Sequence, residues 1–301
     1  MISKGDKFLF GIIGIGIMLL FVFWKDVQHL AGSADTVQTQ KSKKGKDDKK
    51  KGGDELPDVA VLQKWELPSE LKEVSGIAYM DEQRFACIQD EDGIIFIFNT
   101  ASGKIEERIP FAGPGDYEGI ALKGNTAFVV RADGKVYEVD MKIGESSTKE
   151  YNTFLTAEQN VEGLFYEPNK DRLLLAIKGD EPGAKDYKGV YEFDLSKKTL
   201  LEEPVFKIDS KGEDSNKSGG KKQKSVMPSE LAIHPLTNKI YITDGPAAKL
   251  LVMDGSGKFE RSFQLGKEFV QAEGLTFSPK GEVFISNEGT KQPANILKVS
   301  L

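Results

Sequence analysis

Five stretches of this chain open alike, and their spacing leaves few folds available. They are Ser75-Gly76-Ile77-Ala78-Tyr79, Glu118-Gly119-Ile120-Ala121-Leu122, Glu162-Gly163-Leu164-Phe165-Tyr166, Glu230-Leu231-Ala232-Ile233 and Glu273-Gly274-Leu275-Thr276-Phe277. Their second residues fall 43, 44, 68 and 43 positions apart. The long interval holds residues 210–225, a polar stretch of glycine, serine and lysine with the character of a loop insertion. Without it, and with some extra length near 179–188, the period is restored.

Each opening is followed by a second apolar segment (85–88, 127–130, 173–177, 240–243, 283–286) and a third (94–98, 136–139, 190–193, 250–253, 296–299). A fourth is clearest at 105–111, 204–208 and 259–265. The segments are short, rich in β-branched and aromatic residues, and separated by Gly, Asp, Asn and Pro. That is the pattern of strands joined by turns. Four strands in about 43 residues make one blade of a β-propeller. The predicted fold is therefore all-β, a five-bladed β-propeller with four-stranded blades over residues 57–301. The fifth repeat ends at Leu301 after its third strand, and residues 59–67 supply the missing fourth. Closure of this kind removes the free sheet edges at the seam.

Ahead of the propeller come a short segment (1–7), an apolar run (8–24) and a lysine-rich stretch (25–56). The run FLFGIIGIGIMLLFVFW has no charge over 17 residues and, as a helix, would be about 26 Å long, enough to cross a thin bilayer. Phe21, Phe23 and Trp24 gather at one end, where an interfacial belt belongs. The small residues that could mark a cleaved signal peptide, Ala31 to Ala34, lie well beyond the run. A retained transmembrane anchor is therefore favoured over a signal peptide. Lys4 and Lys7 favour a cytoplasmic N-terminus, which places the propeller outside the cytoplasm, in the periplasm, while the lysine run 41–51 opposes this if it counts. Residues 25–56 contain almost nothing to bury and read as a disordered tether. The Gly11, Gly14 and Gly16 spacing inside the apolar run neither follows a strand nor opens a soluble helix, so it is no dinucleotide fingerprint.

Composition excludes several chemistries. One cysteine, Cys87, forbids an internal disulfide, and two histidines, His29 and His234, leave no cluster for a transition metal. The formal net charge is −6 although residues 25–52 hold eight lysines against four aspartates, so the propeller itself is strongly acidic. Nucleic-acid binding, which needs a basic face, is not expected. Cys87 lies in an apolar segment and reads as a core residue, and His234 reads as a turn residue. Tyr117 is placed either at the channel mouth or between blades.

The innermost strands of a propeller line its channel. Glu118, Glu162, Glu230 and Glu273 stand ahead of four of them and Ser75 ahead of the fifth, so these residues are expected to meet at one mouth. The second strands end at Gln89, Arg131, Lys178, Asp244 and Asn287. Arg131 and Lys178 are expected to offset Glu118 and Glu162 in their own blades. That leaves Glu230, Asp244, Glu273 and Asn287, with Asp90 nearby, as an oxygen-rich and histidine-free set. Hard oxygen ligands in an irregular ring suit calcium better than zinc or magnesium, and the candidate ligands are Glu118, Glu162, Glu230, Asp244, Glu273 and Asn287. Ser75, Gln89, Asp90, Arg131 and Lys178 are the other channel-lining candidates. The alternative is that each Glu-Gly fixes the entry of a blade, with the carboxylate capping backbone N–H groups.

Taken together, Ser75-Gly76-Ile77, Asp116-Tyr117-Glu118-Gly119-Ile120-Ala121, Val161-Glu162-Gly163-Leu164, Ser229-Glu230-Leu231 and Gln271-Ala272-Glu273-Gly274-Leu275 resemble the bacterial SdiA-regulated domain family. The resemblance covers residues 57–301. It implies a membrane segment followed by a five-bladed propeller, a bound calcium ion and distant kinship to NHL-repeat propellers, and it implies no reaction. Three functions are consistent with the sequence. One is a calcium-binding propeller, attached to the lipid bilayer through residues 8–24, that presents its channel to a ligand or protein partner. The second is a calcium-dependent hydrolase of lactones, esters or phosphate esters, with the metal as Lewis acid. The third is a metal-free interaction scaffold.

Overall fold

The computed structural model describes residues 59–142, 147–209 and 225–301. The predicted anchor (8–24), the tether (25–56), the segment 1–7 and all but Ser225 of the insertion lie outside the described residues. No helix among the described residues is long and apolar enough to cross a membrane.

The strands form five antiparallel sheets, four built wholly from neighbours in sequence and the fifth completed by the N-terminal strand. The first holds β2 (Val74–Tyr79), β3 (Arg84–Gln89), β4 (Ile94–Asn99) and β5 (Lys104–Pro110), in that order outward. The second holds β6 (Tyr117–Lys123), β7 (Thr126–Arg131), β8 (Val136–Asp140) and β9 (Ser147–Tyr151). In the third, β10 (Val161–Glu167), β11 (Arg172–Ile177) and β12 (Tyr187–Asp194) are followed by two short pieces, β13 (Thr199–Leu200) and β14 (Phe206–Asp209), which share the outer edge of β12. The fourth holds β15 (Pro228–Ile233), β16 (Ile240–Asp244), β17 (Lys249–Met253) and β18 (Phe259–Gln264). The fifth holds β19 (Ala272–Phe277), β20 (Val283–Asn287) and β21 (Asn295–Ser300), and its outer strand is β1 (Ala60–Glu66). Ala60 pairs with Ser300 and Glu66 with Asn295, so the N-terminal strand closes the ring as predicted.

Burial explains the composition of the strands. Middle strands such as β11 (RLLLAI) are buried along nearly their whole length, because both faces of each sheet pack on a neighbour. Outer strands such as β5 (KIEERIP) alternate, with Lys104, Glu106 and Arg108 polar. Five apolar clusters fill the five gaps between sheets. Phe85 and Phe98 meet Phe284 and Ile296 between the first and fifth sheets, for example, and Leu174 and Val190 meet Ile242 and Met253 between the third and fourth. Each sheet is thus a slab that only its two neighbours can cover, which forces the closed ring.

The ring is completed at the centre, where β2 lies beside β6, β6 beside β10, β10 beside β15, β15 beside β19, and β19 beside β2. Every one of these inner strands carries a register shift at its start, between Val74 and Gly76, Tyr117 and Gly119, Val161 and Gly163, Pro228 and Glu230, and Ala272 and Leu275. Glu118, Glu162 and Glu273 therefore lie inside the strands, at β-bulges, and Glu230 lies inside its strand one residue past the bulge, so none stands ahead of its strand. Bulges re-aim a side chain out of the pleat, here at the channel mouth.

Pairing also corrects the repeat alignment. Glu230 sits opposite Thr243 as Gly119 sits opposite Val130 and Gly163 opposite Ala176. In the fourth blade Ser229 holds the bulge, and Glu230 stands where the other blades have glycine. Inner strands come so close at that level that a Cβ on Gly119 would lie 2.6 Å from Leu164 Cβ and 2.7 Å from the Glu162 carbonyl oxygen. One glutamate has thus been built into a ring of glycines. A second correction follows from the same ladders: the residue equivalent to Gln89, Arg131, Asp244 and Asn287 is Ile177, and Lys178 lies one residue past the strand.

Candidate functional site

The inner strands all run the same way along the channel, so their beginnings form one mouth and their ends the other. The first mouth is acidic. Burial pushes the Glu118 carboxyl up to about 9, with Glu162, Asp116 and Glu273 adding to the effect. Glu162 rises to about 7, again through burial, although Lys178 works in the opposite direction. Glu288 also rises to about 7, from burial and then the charges of Glu273, Asp90 and Glu73, while Asp90 rises to about 6. Burial raises Glu273 as well. Glu118, Glu162 and Glu273 thus lie within one another's field, as bulged strand starts at one mouth should.

Among the described residues, one cation stands with them. Lys178 Nζ lies 2.6 Å from Glu162 Oε2, and both side chains are mostly buried. Burial works against its charge, but Glu162, Glu273 and Glu118 together more than offset this and raise its pKa. Asn160 Nδ2 donates to the other oxygen of Glu162 at 2.7 Å. Arg131 was expected to offset Glu118 and does not: its guanidinium forms a two-pronged pair with Asp133, at 2.5 and 3.0 Å, in the turn after its own strand. A partner two residues away in the same turn competes successfully with the carboxylate on the neighbouring strand.

Of the remaining candidates, Glu230, Asp244, Ser75 and Gln89 are committed to the backbone, whereas Asp90 Oδ1 is buried without a hydrogen-bond partner among the described residues. Glu230, 1 % exposed, accepts both the Leu164 and the Leu231 N–H on Oε1, each at 2.8 Å. Burial holds its carboxyl well above the ordinary range. Asp244 accepts the Ala247 N–H at 3.2 Å and so caps the turn after β16. Ser75 Oγ donates to the Tyr117 carbonyl oxygen of the next blade at 2.6 Å. Gln89 Oε1 accepts the Glu91 N–H at 2.7 Å. Asn287 donates through Nδ2 to Asn295 Oδ1 at 3.0 Å, while its own Oδ1 has no hydrogen-bond partner among the described residues.

These observations bear on calcium. The ion takes six to eight oxygens. Here Glu230 Oε1 and Asp244 Oδ1 serve backbone N–H groups, and the Lys178 ammonium is paired with Glu162 and lies within the field of Glu273. Among the described residues no group of three or more His, Cys, Asp or Glu side chains is arranged to hold a metal ion. The six candidate ligands as placed do not fit calcium.

The side candidates resolve simply. Cys87 is fully buried, and burial drives its thiol far above its usual range. His234 caps a turn, accepting the Leu236 and Thr237 N–H groups on Nδ1. Tyr117 packs between the first two blades against Phe111 and Tyr137, with its hydroxyl donating to the Gly113 carbonyl oxygen at 2.7 Å.

The second mouth was not singled out by sequence. It opens into a cavity of about 660 Å³ lined by the ends of all five inner strands, with Tyr79, Leu122, Phe165, Tyr166, Ile233 and Phe277 among the lining residues and Glu167, Asn169 and Lys170 at the rim. Each inner strand is the edge of its sheet, so alternate backbone N–H and C=O groups face the channel beside these side chains. One such N–H, that of Tyr79, is taken up by Thr276 Oγ1 of the neighbouring blade at 3.2 Å. The signal was present in the sequence as the last three residues of each opening. Strand alternation concealed it, because those side chains also serve the gaps between sheets.

A closed ring of five four-stranded sheets around a channel with one acidic and one apolar mouth is a five-bladed β-propeller. This chain belongs to the SdiA-regulated family, whose sequence profile matches residues 58–291. No curated protein matches it in sequence. Among solved structures it is similar to the glutaminyl cyclase of Myxococcus xanthus, with a TM-score of 0.56, 13 % identity, and 82 % of this chain and 97 % of that chain covered. A streptogramin B lyase gives a TM-score of 0.47 at 12 % identity, covering 79 % of this chain and 97 % of the other. At 13 % identity the property shared with the glutaminyl cyclase is the fold.

Proposed function

We propose that this chain is a membrane-held, extracytoplasmic binding module whose propeller takes a small amphipathic ligand at the apolar channel mouth. The cavity there carries the proposal. About 660 Å³ lies within the range of pockets that hold drug-sized molecules. Its wall combines aromatic and aliphatic side chains with backbone donors and acceptors, which suits a ligand with an apolar body and a few polar groups. Lys170 and Glu167 at the rim, 3.2 Å apart, offer charge to the ligand's polar end. The uncharged run 8–24, with Lys4 and Lys7 ahead of it, supports attachment to a membrane. Calcium is left out of this reading because the candidate ligands do not fit it.

Binding of 1-anilinonaphthalene-8-sulfonate to the native full chain tests the proposal. Fluorescence is expected to rise and saturate at one dye per chain. Leu122→Arg, which sets a charge in the apolar wall, is expected to weaken binding about tenfold, a loss of about 1.4 kcal/mol, with the melting transition retained. Equal binding by the folded variant would show that the dye, and the site, lie elsewhere.

A further inference from the structure

The misfit between this mouth and calcium has a physical cause, and it leads beyond ligand binding at the other end of the channel. Buried carboxylates that face one another need a positive charge, a proton or separation. Three of them, Glu118, Glu162 and Glu273, interact across this mouth. A propeller can meet that need with a divalent cation. This chain places an amine there instead.

We propose that Lys178 is the resident counter-cation of the channel mouth, standing where a metal ion would otherwise be required. Its ammonium lies 2.6 Å from Glu162 Oε2 and within the field of Glu273 and Glu118. Its position past the end of β11 is what allows this, since the strand-end residue itself, Ile177, is wholly buried in the apolar gap between the second and third sheets. Asn160, in the turn before β10, fixes the second oxygen of Glu162 so that the pair has one geometry. Arg131, the other cation in reach by sequence, is held by Asp133, which leaves the role to Lys178 among the described residues. The ring therefore keeps its mouth closed without metal. Removing the ammonium opens a vacancy walled by carboxylate oxygens, which is the chemistry that selects a hard divalent cation.

The test uses the full chain, purified with and without chelator and melted with and without millimolar calcium. The wild type is expected to carry no stoichiometric calcium by elemental analysis and to melt at the same temperature in both conditions. Lys178→Met is expected to melt several degrees lower in chelator and to recover at least half of that loss in calcium. Lys178→Arg, which keeps a cation, is expected to remain indifferent to calcium. One calcium per wild-type chain, or a wild-type melting temperature that falls in chelator and returns with calcium, would overturn the proposal whether or not the methionine variant folds. So would a Lys178→Met chain as stable as the wild type and blind to calcium, or a Lys178→Arg chain that depends on it.

Discussion

Replacing Glu230 by alanine is expected to cost about 3 kcal/mol of stability, whereas Glu230→Gln should cost less than about 1 kcal/mol. The difference follows from what the side chain does. Its Oε1 accepts the backbone N–H groups of Leu164 and Leu231, which belong to the inner strands of adjacent blades. Leaving a buried N–H unpaired costs roughly 1–3 kcal/mol each, with some relief from water entering the channel. Burial keeps the carboxyl pKa well above its ordinary value, so the glutamine amide resembles the form the site favours and retains the acceptor oxygen. For a domain of this size the alanine loss corresponds to roughly 6–12 °C in melting temperature. An alanine variant melting with the wild type would remove Glu230 from the account of how the third and fourth blades are joined.

The second large effect is on pH dependence, and its direction follows from the raised carboxyl pKa values of the mouth. Glu118, Glu162, Glu273, Glu288 and Asp90 all have raised pKa values in the folded chain, to about 9 for Glu118, about 7 for Glu162 and Glu288, and about 6 for Asp90. Above the ordinary glutamate value the unfolded chain has lost these protons while the folded chain still holds them. Stability is therefore full below about pH 4.5 as far as these groups are concerned, and it is lost as pH rises through the folded values. Asp133, Glu138 and Glu282 act the other way, because their pKa values are lowered by Arg131, Lys198 and Lys298, and they set an acid limit below the same pH. Melting temperature should peak near pH 5 and fall steadily toward pH 9. Glu118→Gln should flatten the upper part of that fall and raise the melting temperature at pH 9. A curve that is level or rising between pH 6 and 9 would mean that the mouth is neutralised by something other than protons and Lys178.

Sequence disclosed the ring because its cause is periodic. Each blade needs two apolar faces, so the openings, the buried middle strands and the closing strand at 60–66 all left a hydrophobic trace. Features that depend on one residue of register did not. Leu231-Ala232-Ile233 imitates Gly-Ile-Ala closely enough to hide that Ser229, and not Glu230, holds the fourth bulge. Lys178 reads as a strand end, yet the ladder stops at Ile177. Strand β9 (STKEY) is too polar to signal itself, and β13 and β14 divide one outer position between them. Convergence of Glu118, Glu162 and Glu273 on one mouth was legible, because bulged strand starts repeat with the blades. Which oxygens the backbone and the nearest cation would take up was not, since that is decided by contacts of 3 Å between residues as far apart as 164 and 230.

Methyl-resolved NMR of the full chain, titrated with 1-anilinonaphthalene-8-sulfonate, tests the central claim most directly, because it locates the binding site as well as detecting it. Leu122, Ile233 and Leu275, which line the apolar mouth, are expected to shift together and saturate with one dissociation constant, while exposed Leu62 on the outer strand and Val270 near the acidic mouth stay still. Shifts at Leu62 and Val270 with none at Leu122 and Leu275 would contradict a channel-mouth binding site.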